Sequence, residues 1–254
     1  MGVLNITPDS FSDGGQFMAP ERALAQARRM IAEGADIIDI GAESTRPYGS
    51  EPVAADEELK RLQPILADVV SLGIPVSIDS MKSAVVAWAL DVGATIANDV
   101  WGLQRDPDMA RLLAARRCPV VIMHNRDRAD AGIDIMKDIA EFFARSLELA
   151  AKAGISRENI VLDPGVGFGK TSEQSIMVLA RLEQLGRFGL PLLVGASRKR
   201  FIASVSPSEP QQRLGGSIAA HLIAAKGGAR IVRTHDVSET VQALRVAAAI
   251  WDQA

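Results

Sequence analysis

Residues 20–41 read PERALAQARRMIAEGADIIDIG, and this stretch carries the unit on which the fold is built. From 20 to 33 the pattern is amphipathic and of helix length, Gly34 follows where a helix would be capped, and 35–41 is a short apolar run of strand length. The same alternation recurs eight times along the chain. The apolar runs are 2–6, 35–41, 74–79, 94–98, 118–124, 159–163, 191–196 and 229–234. The helical patterns are 20–33, 54–72, 82–92, 107–116, 135–153, 173–187, 211–225 and 238–250. Gly34, Gly73, Gly93, Gly154, Gly189 and Gly227 stand where a helix gives way to the next strand, each suited to a left-handed cap. Continuous apolar strands, each followed by a helix, imply a parallel sheet covered by helices. Eight such units close into an α/β fold of the (β/α)8 barrel type, with an open doubly wound sheet as the alternative. A chain of 254 residues suits one domain of this kind, spanning 1–254.

Charge excludes some functions. With 28 Lys plus Arg against 31 Asp plus Glu and a formal net charge of −3, the chain has no character of a polyanion-binding surface, and nucleic acid is not an expected partner. A single cysteine, Cys118, rules out disulfides within the chain and sits in an apolar run as a small buried hydrophobe. No segment offers about 18 uninterrupted apolar residues, and the first residues lack a secretory pattern. The cytoplasm is the expected location, with no membrane association. The run 2–6 begins directly after Met1, so a trimmed N-terminus is one reading of the start.

A barrel of this type holds its site at the C-terminal ends of the strands, and here those ends are polar: Asn5, Asp39, Asp79, Asn98, His124, Asp163, Ser197 with Lys199, and Arg233 with His235. Carboxylates and amides in a barrel mouth are partly desolvated, which costs free energy unless a ligand satisfies them. A ligand rich in N–H groups fits that demand. The glycine-rich stretch 163–171 is not a nucleotide loop: Pro164 stands where a Walker A loop needs glycine, and Lys170 where the dinucleotide fingerprint needs it. Its glycines are read instead as letting the main chain approach a flat ligand. Arg233-Thr234-His235-Asp236 closes the last strand as an anion grip, because a guanidinium fork suits phosphate oxygens; a surface ion pair of Arg233 with Asp236 is the alternative. No HExxH or paired-cysteine spacing marks a resident metal, but Mg²⁺ arriving with a phosphorylated substrate needs few protein oxygens, and Asn5 is placed to give one. Neither Ser197 nor Cys118 lies in a nucleophile motif, so positioning and electrostatics must carry the reaction.

The blocks 1–15 (MGVLNITPDSFSDGG), 39–47 (DIGAESTRP), 77–80, 98–100, 162–170, 195–199 and 233–237 follow in an order that resembles the dihydropteroate synthase family, TIM barrels that bind pterins. The resemblance implies condensation of 6-hydroxymethyl-7,8-dihydropterin pyrophosphate with 4-aminobenzoate to give 7,8-dihydropteroate and pyrophosphate, assisted by Mg²⁺ at Asn5. It implies catalytic roles for Lys199, Asp79, Asp163, Arg233 and His235. The pterin would meet Asp79, Asn98, Met123, Asp163, Phe168, Gly195, Lys199 and Arg233. The aminobenzoate would meet Phe11, Thr45, Arg46, Pro47, Ser197 and Lys199, which makes the chain a sulfonamide target, and the pyrophosphate would meet Asn5, Thr45, Arg46, Arg233 and His235. A homodimer is also implied. The chain departs from the family in three places: the family usually has residues ahead of the first strand, often glycine where Ala42 stands, and commonly glycine where Tyr48 stands. His124 takes no role in the resemblance. Two rivals share the pterin reading, a pterin-dependent methyltransferase and a catalytically silent paralogue; the Ser197–Lys199 and Arg233–His235 blocks favour the synthase.

Overall fold

The eight apolar runs form eight strands in a computed structural model that describes residues 1–6, 19–43 and 53–253. They are β1 (Gly2–Asn5), β2 (Ile38–Gly41), β3 (Val76–Asp79), β4 (Ile96–Asp99), β5 (Val120–Met123), β6 (Ile160–Asp163), β7 (Leu192–Val194) and β8 (Ala229–Val232). All neighbours are parallel and the spatial order is the chain order. The sheet closes on itself rather than staying open. Val3 N donates to Thr234 O at 3.0 Å, Thr234 N donates to Met1 O at 3.0 Å, and the Met1 amino nitrogen donates to Val232 O at 3.0 Å.

Strand alternation sorts the residues into two populations. Leu4, Ile38, Ile40, Val76, Ile78, Ala97, Val120, Ile122, Ile160, Leu162, Leu192 and Val194 face outward into the helix-covered apolar core. The alternate positions face the barrel axis. Their lower tier includes Val3, Asp39, Ser77, Val121 and Leu193, and their upper tier is Asn5, Gly41, Asp79, Asn98, Met123, Asp163, Gly195 and Arg233. The upper tier is therefore the barrel mouth.

Around the strands lie α1 (Ala19–Ala32), α2 (Ala55–Leu62), α3 (Leu66–Val70), α4 (Ser83–Val92), α5 (Met109–Arg116), α6 (Ile135–Ala153), α7 (Ser172–Ala180), α8 (Arg200–Val205), α9 (Leu214–Lys226) and α10 (Val237–Trp251). Four departures from the sequence reading have local causes. The helix expected over 54–72 breaks between α2 and α3 at Pro64, which lacks an N–H and crowds the preceding turn. The helix expected over 173–187 ends at Ala180 and tightens into a 3₁₀ segment, Leu182–Phe188, that contains Gly186. The short α8 is not among the helical patterns of the sequence, because six residues are too few to show periodicity. The cap expected at Gly227 falls on Gly228, whose φ is +99°, because α9 runs to Lys226.

α6 matters most for the site, since its first turn carries Asp138. Asp134 caps it through hydrogen bonds from Met136 N (3.0 Å) and Lys137 N (3.1 Å). Phe143, wholly buried, locks its underside edge-on against Phe142 and Phe188, with centroid separations of 6.4 and 5.6 Å. We expect Phe143→Ala to cost about 3–5 kcal/mol, read as a lower denaturation midpoint in urea at unchanged slope; a loss below about 1 kcal/mol would show that α6 is held by something else.

Candidate active site

The mouth is organised around one guanidinium. Arg233 Nε donates to Asp39 Oδ2 at 2.6 Å, and Arg233 Nη2 donates to Asp79 Oδ2 at 2.8 Å. One cation thus ties β8 to β2 and β3. Asp39 Oδ2 also accepts from Asn98 Nδ2 at 3.1 Å, which decides how that amide is turned: its nitrogen faces Asp39 and its oxygen is left for something else. Asp39 Oδ1, Asp79 Oδ1, Asn98 Oδ1 and Ser77 Oγ are buried without a hydrogen-bond partner. Each is able to accept, and together they leave this side of the mouth and the tier beneath it short of N–H donors.

The opposite side is built by the turn after β6. Asp163 Oδ1 accepts from Gly165 N at 2.7 Å, so the carboxylate is held by the turn that follows it. Gly167, at φ +82°, lies against the Lys199 side chain, and Lys199 Nζ donates to Val166 O while standing 4.1 Å from the Phe168 ring centroid. Met123, paired in register with Asp163, is buried beside it. The glycines at 165 and 169 were expected to let a ligand approach, but the approach they permit is to protein. A Cβ on Gly165 would sit 1.9 Å from His124 O, and one on Gly169 would sit 2.4 Å from Arg126 Cβ.

Beyond β7, Arg198 is left-handed, with φ +58°. It makes a fork–fork pair with Asp236 at the start of α10, Nε to Oδ2 being 3.0 Å, and Arg213 Nη1 donates to Arg198 O at 2.9 Å. Asp236 is therefore taken by Arg198, and the alternative Arg233–Asp236 pair does not form. This clip holds the β7 and β8 loops together and brings Ser197 to His235: the Ser197 Oγ lies 3.0 Å from His235 Nδ1 and accepts from His235 N at 3.2 Å.

Burial tunes the titrating groups in opposite directions. It raises the Asp79 carboxyl to about 7, against the opposing pull of Arg233 and with help from the Asp39 charge. It lowers the Lys199 ammonium to about 7, although Asp163 pulls the other way. Asp163 is likewise raised by burial, and His235 is pushed down to about 4 by burial and then by Arg233. His235 is thus a neutral imidazole at physiological pH.

Ten of the site residues read from the sequence converge on this mouth: Asp79, Asn98, Met123, Asp163, Phe168, Gly195, Ser197, Lys199, Arg233 and His235. Asn5 stands in the same tier, and its side chain makes no hydrogen bond among the described residues. Phe11, Thr45, Arg46 and Pro47 lie outside the described residues. Four features were not foreseen: Asp39 as the acceptor that orients Asn98, the Arg198–Asp236 clip, the Lys82 ammonium held by Glu43 and buried Glu58 (2.9 Å), and the partners of His124. None of these has a local spacing signal, since each joins residues far apart in the chain.

The pterin binding enzyme family model matches residues 1–235. The dihydropteroate synthase of Bacillus subtilis (strain 168) is 43% identical over 240 residues, 94% of this chain and 84% of that protein. Among solved structures, the dihydropteroate synthase of Clostridium difficile in the presence of pteroic acid is similar with a TM-score of 0.94 at 48% identity, covering 99% of this chain and 95% of that one. That of Xanthomonas albilineans with 4-aminobenzoic acid gives a TM-score of 0.95 at 42% identity, covering 99% and 92%. A mouth short of N–H donors, closed by the Ser197–Lys199 and Arg233–His235 blocks, on a barrel shared end to end with these enzymes, leads to one assignment: the chain belongs to the pterin binding enzymes and, among them, to the dihydropteroate synthases.

Proposed function

We propose that the chain, acting as one catalytic unit, joins 6-hydroxymethyl-7,8-dihydropterin pyrophosphate to 4-aminobenzoate. The bond between the pterin methylene carbon and the pyrophosphate oxygen breaks, a bond from that carbon to the aniline nitrogen forms, and the aniline loses one proton. The observation that carries this reading is the set of buried, unpartnered oxygens on Asp79 and Asn98, with Asp163 facing them across the mouth. A pterin ring edge presents the N–H groups this set lacks.

In this reading Asp163 accepts from the amino and ring N–H of the pterin, Asn98 and Asp79 accept from its other nitrogens, and Lys199 donates to its carbonyl side. Met123, Phe168 and Gly195 border the ring. As the C–O bond breaks, positive charge builds on the methylene and negative charge on the leaving oxygen. Asp79 and Asp163 stabilise the first; Arg233, through Nη1, and His235 stabilise the second. Ser197 and Lys199 border the aminobenzoate, whose remaining contacts are proposed for Phe11, Thr45, Arg46 and Pro47. Thr45 and Arg46 would also reach the pyrophosphate.

The Asn5 amide oxygen, a hard donor in the mouth's upper tier with no other partner among the described residues, fits a Mg²⁺ carried by the pyrophosphate. Such an ion neutralises charge on the departing phosphate. The described residues contain no helix long and apolar enough to cross a membrane. A cytoplasmic location follows from the substrate, because a pyrophosphate ester does not cross a bilayer unaided. A homodimer is supported by the apolar residues left exposed on neighbouring helices, Ile223 on α9 with Val246, Ile250 and Trp251 on α10.

The direct test is mass-spectrometric detection of 7,8-dihydropteroate from the purified chain, both substrates and Mg²⁺. Pterin binding without product would favour a silent paralogue. Lys199→Ala and Asp163→Asn should each lower kcat/KM by about 10²–10³ while the melting transition stays cooperative, and wild-type rates in either folded variant would remove the assigned roles.

Asp79 must be ionised to accept and Lys199 protonated to donate. The free enzyme therefore loses activity below about pH 7 as Asp79 takes a proton and above about pH 7 as Lys199 loses one. We expect kcat/KM for the pterin substrate to trace a narrow bell near neutrality, with Lys199→Arg flattening its alkaline limb; a profile level from pH 6 to 9 would contradict this. Val246→Asp with Ile250→Asp should convert a dimer to monomer in light scattering, and a wild-type chain already monomeric at tens of micromolar would end that part of the reading.

A further inference from the structure

Beneath the turn after β6 lies a buried cation that the proposed reaction does not use. Lys170, 5% exposed, donates to Gly165 O at 2.8 Å and to Phe168 O at 3.0 Å, and its Nζ lies 2.7 Å from His124 Nδ1. His124 is wholly buried, with Nε2 2.9 Å from Asp138 Oδ2, while Asp138 Oδ1 accepts from Arg126 Nη1 at 2.8 Å.

The hydrogen-bond arithmetic allows little freedom. An ammonium has three hydrogens and no lone pair, and Lys170 has three acceptors around it. If it is charged, His124 Nδ1 must be bare and its hydrogen sits on Nε2, pointing at Asp138. If the proton moves to His124, the imidazolium donates to both Asp138 and the Lys170 amine, and that amine still donates to two carbonyls. Both arrangements keep every contact and the same net charge, so the pair holds one proton between them and Asp138 balances it. Burial favours a neutral Lys170, whereas Asp163 and Asp138 oppose that.

The turn this cation holds is the one that builds half of the pterin side. Gly165 and Gly169 lie so flat on the backbone of His124 and Arg126 that no Cβ fits at either position, and both have positive φ, +63° and +55°. Two of the turn's carbonyls, Gly165 O and Phe168 O, point down to Lys170, while Val166 O between them points up to Lys199. Asp163 grips the same turn from within through Gly165 N. With no ammonium beneath, Phe168 O and an imidazole nitrogen would lose their donor and Gly165 O would keep only the one from Phe168 N at 3.0 Å, which favours a turn lifted toward water.

We propose that Lys170, with His124 as its relay to Asp138, is a positioning residue of the synthase: it braces the 163–170 turn from below so that Val166 O and the Phe168 ring hold Lys199 against the pterin. It rests on the synthase reading, and it separates the two lysines by task, Lys199 touching the substrate and Lys170 holding the surface on which Lys199 rests.

Lys170→Met keeps the length and bulk of the side chain and removes the donors. We expect KM for the pterin pyrophosphate, and its Kd by direct fluorescence titration without aminobenzoate, to rise about tenfold or more. KM for 4-aminobenzoate at saturating pterin should rise by a clearly smaller factor, since Lys199 is the one proposed aminobenzoate neighbour that rests on this turn. A general loss of stability would not divide the two substrates in this way. A folded Lys170→Met with unchanged pterin KM and Kd overturns the proposal, as does an equal rise in both KM values. Should that variant not fold, Asp138→Asn decides at a side chain that is 27% exposed: the proposal requires pterin KM to rise about threefold with aminobenzoate KM rising by a smaller factor, and no change refutes it. Wild-type product formed under the same conditions tests the synthase reading itself. If wild type forms none, that reading fails, whereas product from wild type with no division of substrates in the variants fails only the positioning role.

Discussion

Two carboxylates on adjacent strands inside a barrel repel one another, and Arg233 is the cation that stands between them. Its Nε and Nη2 lie 2.6 and 2.8 Å from Asp39 and Asp79, and Asp39 has no exposed surface. Removing one member of such a cluster leaves an uncompensated buried charge, a loss of about 3–5 kcal/mol, so the three residues stand or fall together. Geometry follows from charge. Because Asp39 is held by Arg233, it can orient Asn98, and because Asn98 gives its nitrogen to Asp39, its oxygen is turned to accept. The recognition surface is thus set by a layer beneath it.

The barrel supplies this layering through alternation alone. Each strand places one residue toward the helices and the next toward the axis, so the apolar outer set can be packed without regard to the polar inner one. The cost of the inner set is local: it is carried by the unpartnered oxygens on Asp39, Asp79, Asn98 and Ser77. The same logic explains why the glycine turn is fixed twice over. A turn with three positive-φ glycines has high conformational entropy in the unfolded chain, and hydrogen bonds to Asp163 and from Lys170 and Lys199 offset it.

Much of this was legible before any coordinates. The eightfold alternation carried the fold, because period and run length are local properties that tertiary packing reinforces. Breaks came where one residue outweighs a pattern, as at Pro64 and at Gly186. The polar strand ends marked the site because a barrel makes them converge whatever their separation in sequence. What stayed illegible was pairing: that Arg198 rather than Arg233 meets Asp236, that Asp39 orients Asn98, and that His124, at the end of an apolar run, accepts from or donates to Lys170. Those depend on the directions of side chains 38 to 59 residues apart in the chain, which neither spacing nor composition records.

Placing both classes of group in one dry mouth has a consequence for the chemistry. Burial penalises whichever form is charged, so it drives a carboxyl upward and an ammonium downward until Asp79 and Lys199 meet near 7. Each group alone would be poorly matched to a neutral solution. Together they leave the mouth able to change its protonation at little cost when a ligand brings its own donors and acceptors, since neither group is far from balance. A rigid ion pair could not do this: Arg233, raised still higher by Asp39 and Asp79, keeps its charge throughout and acts as the fixed reference against which the adjustable pair responds. The mouth therefore combines one cation that must not titrate with two groups poised to, and the closure that places β8 beside β1 is what gathers all three into one mouth.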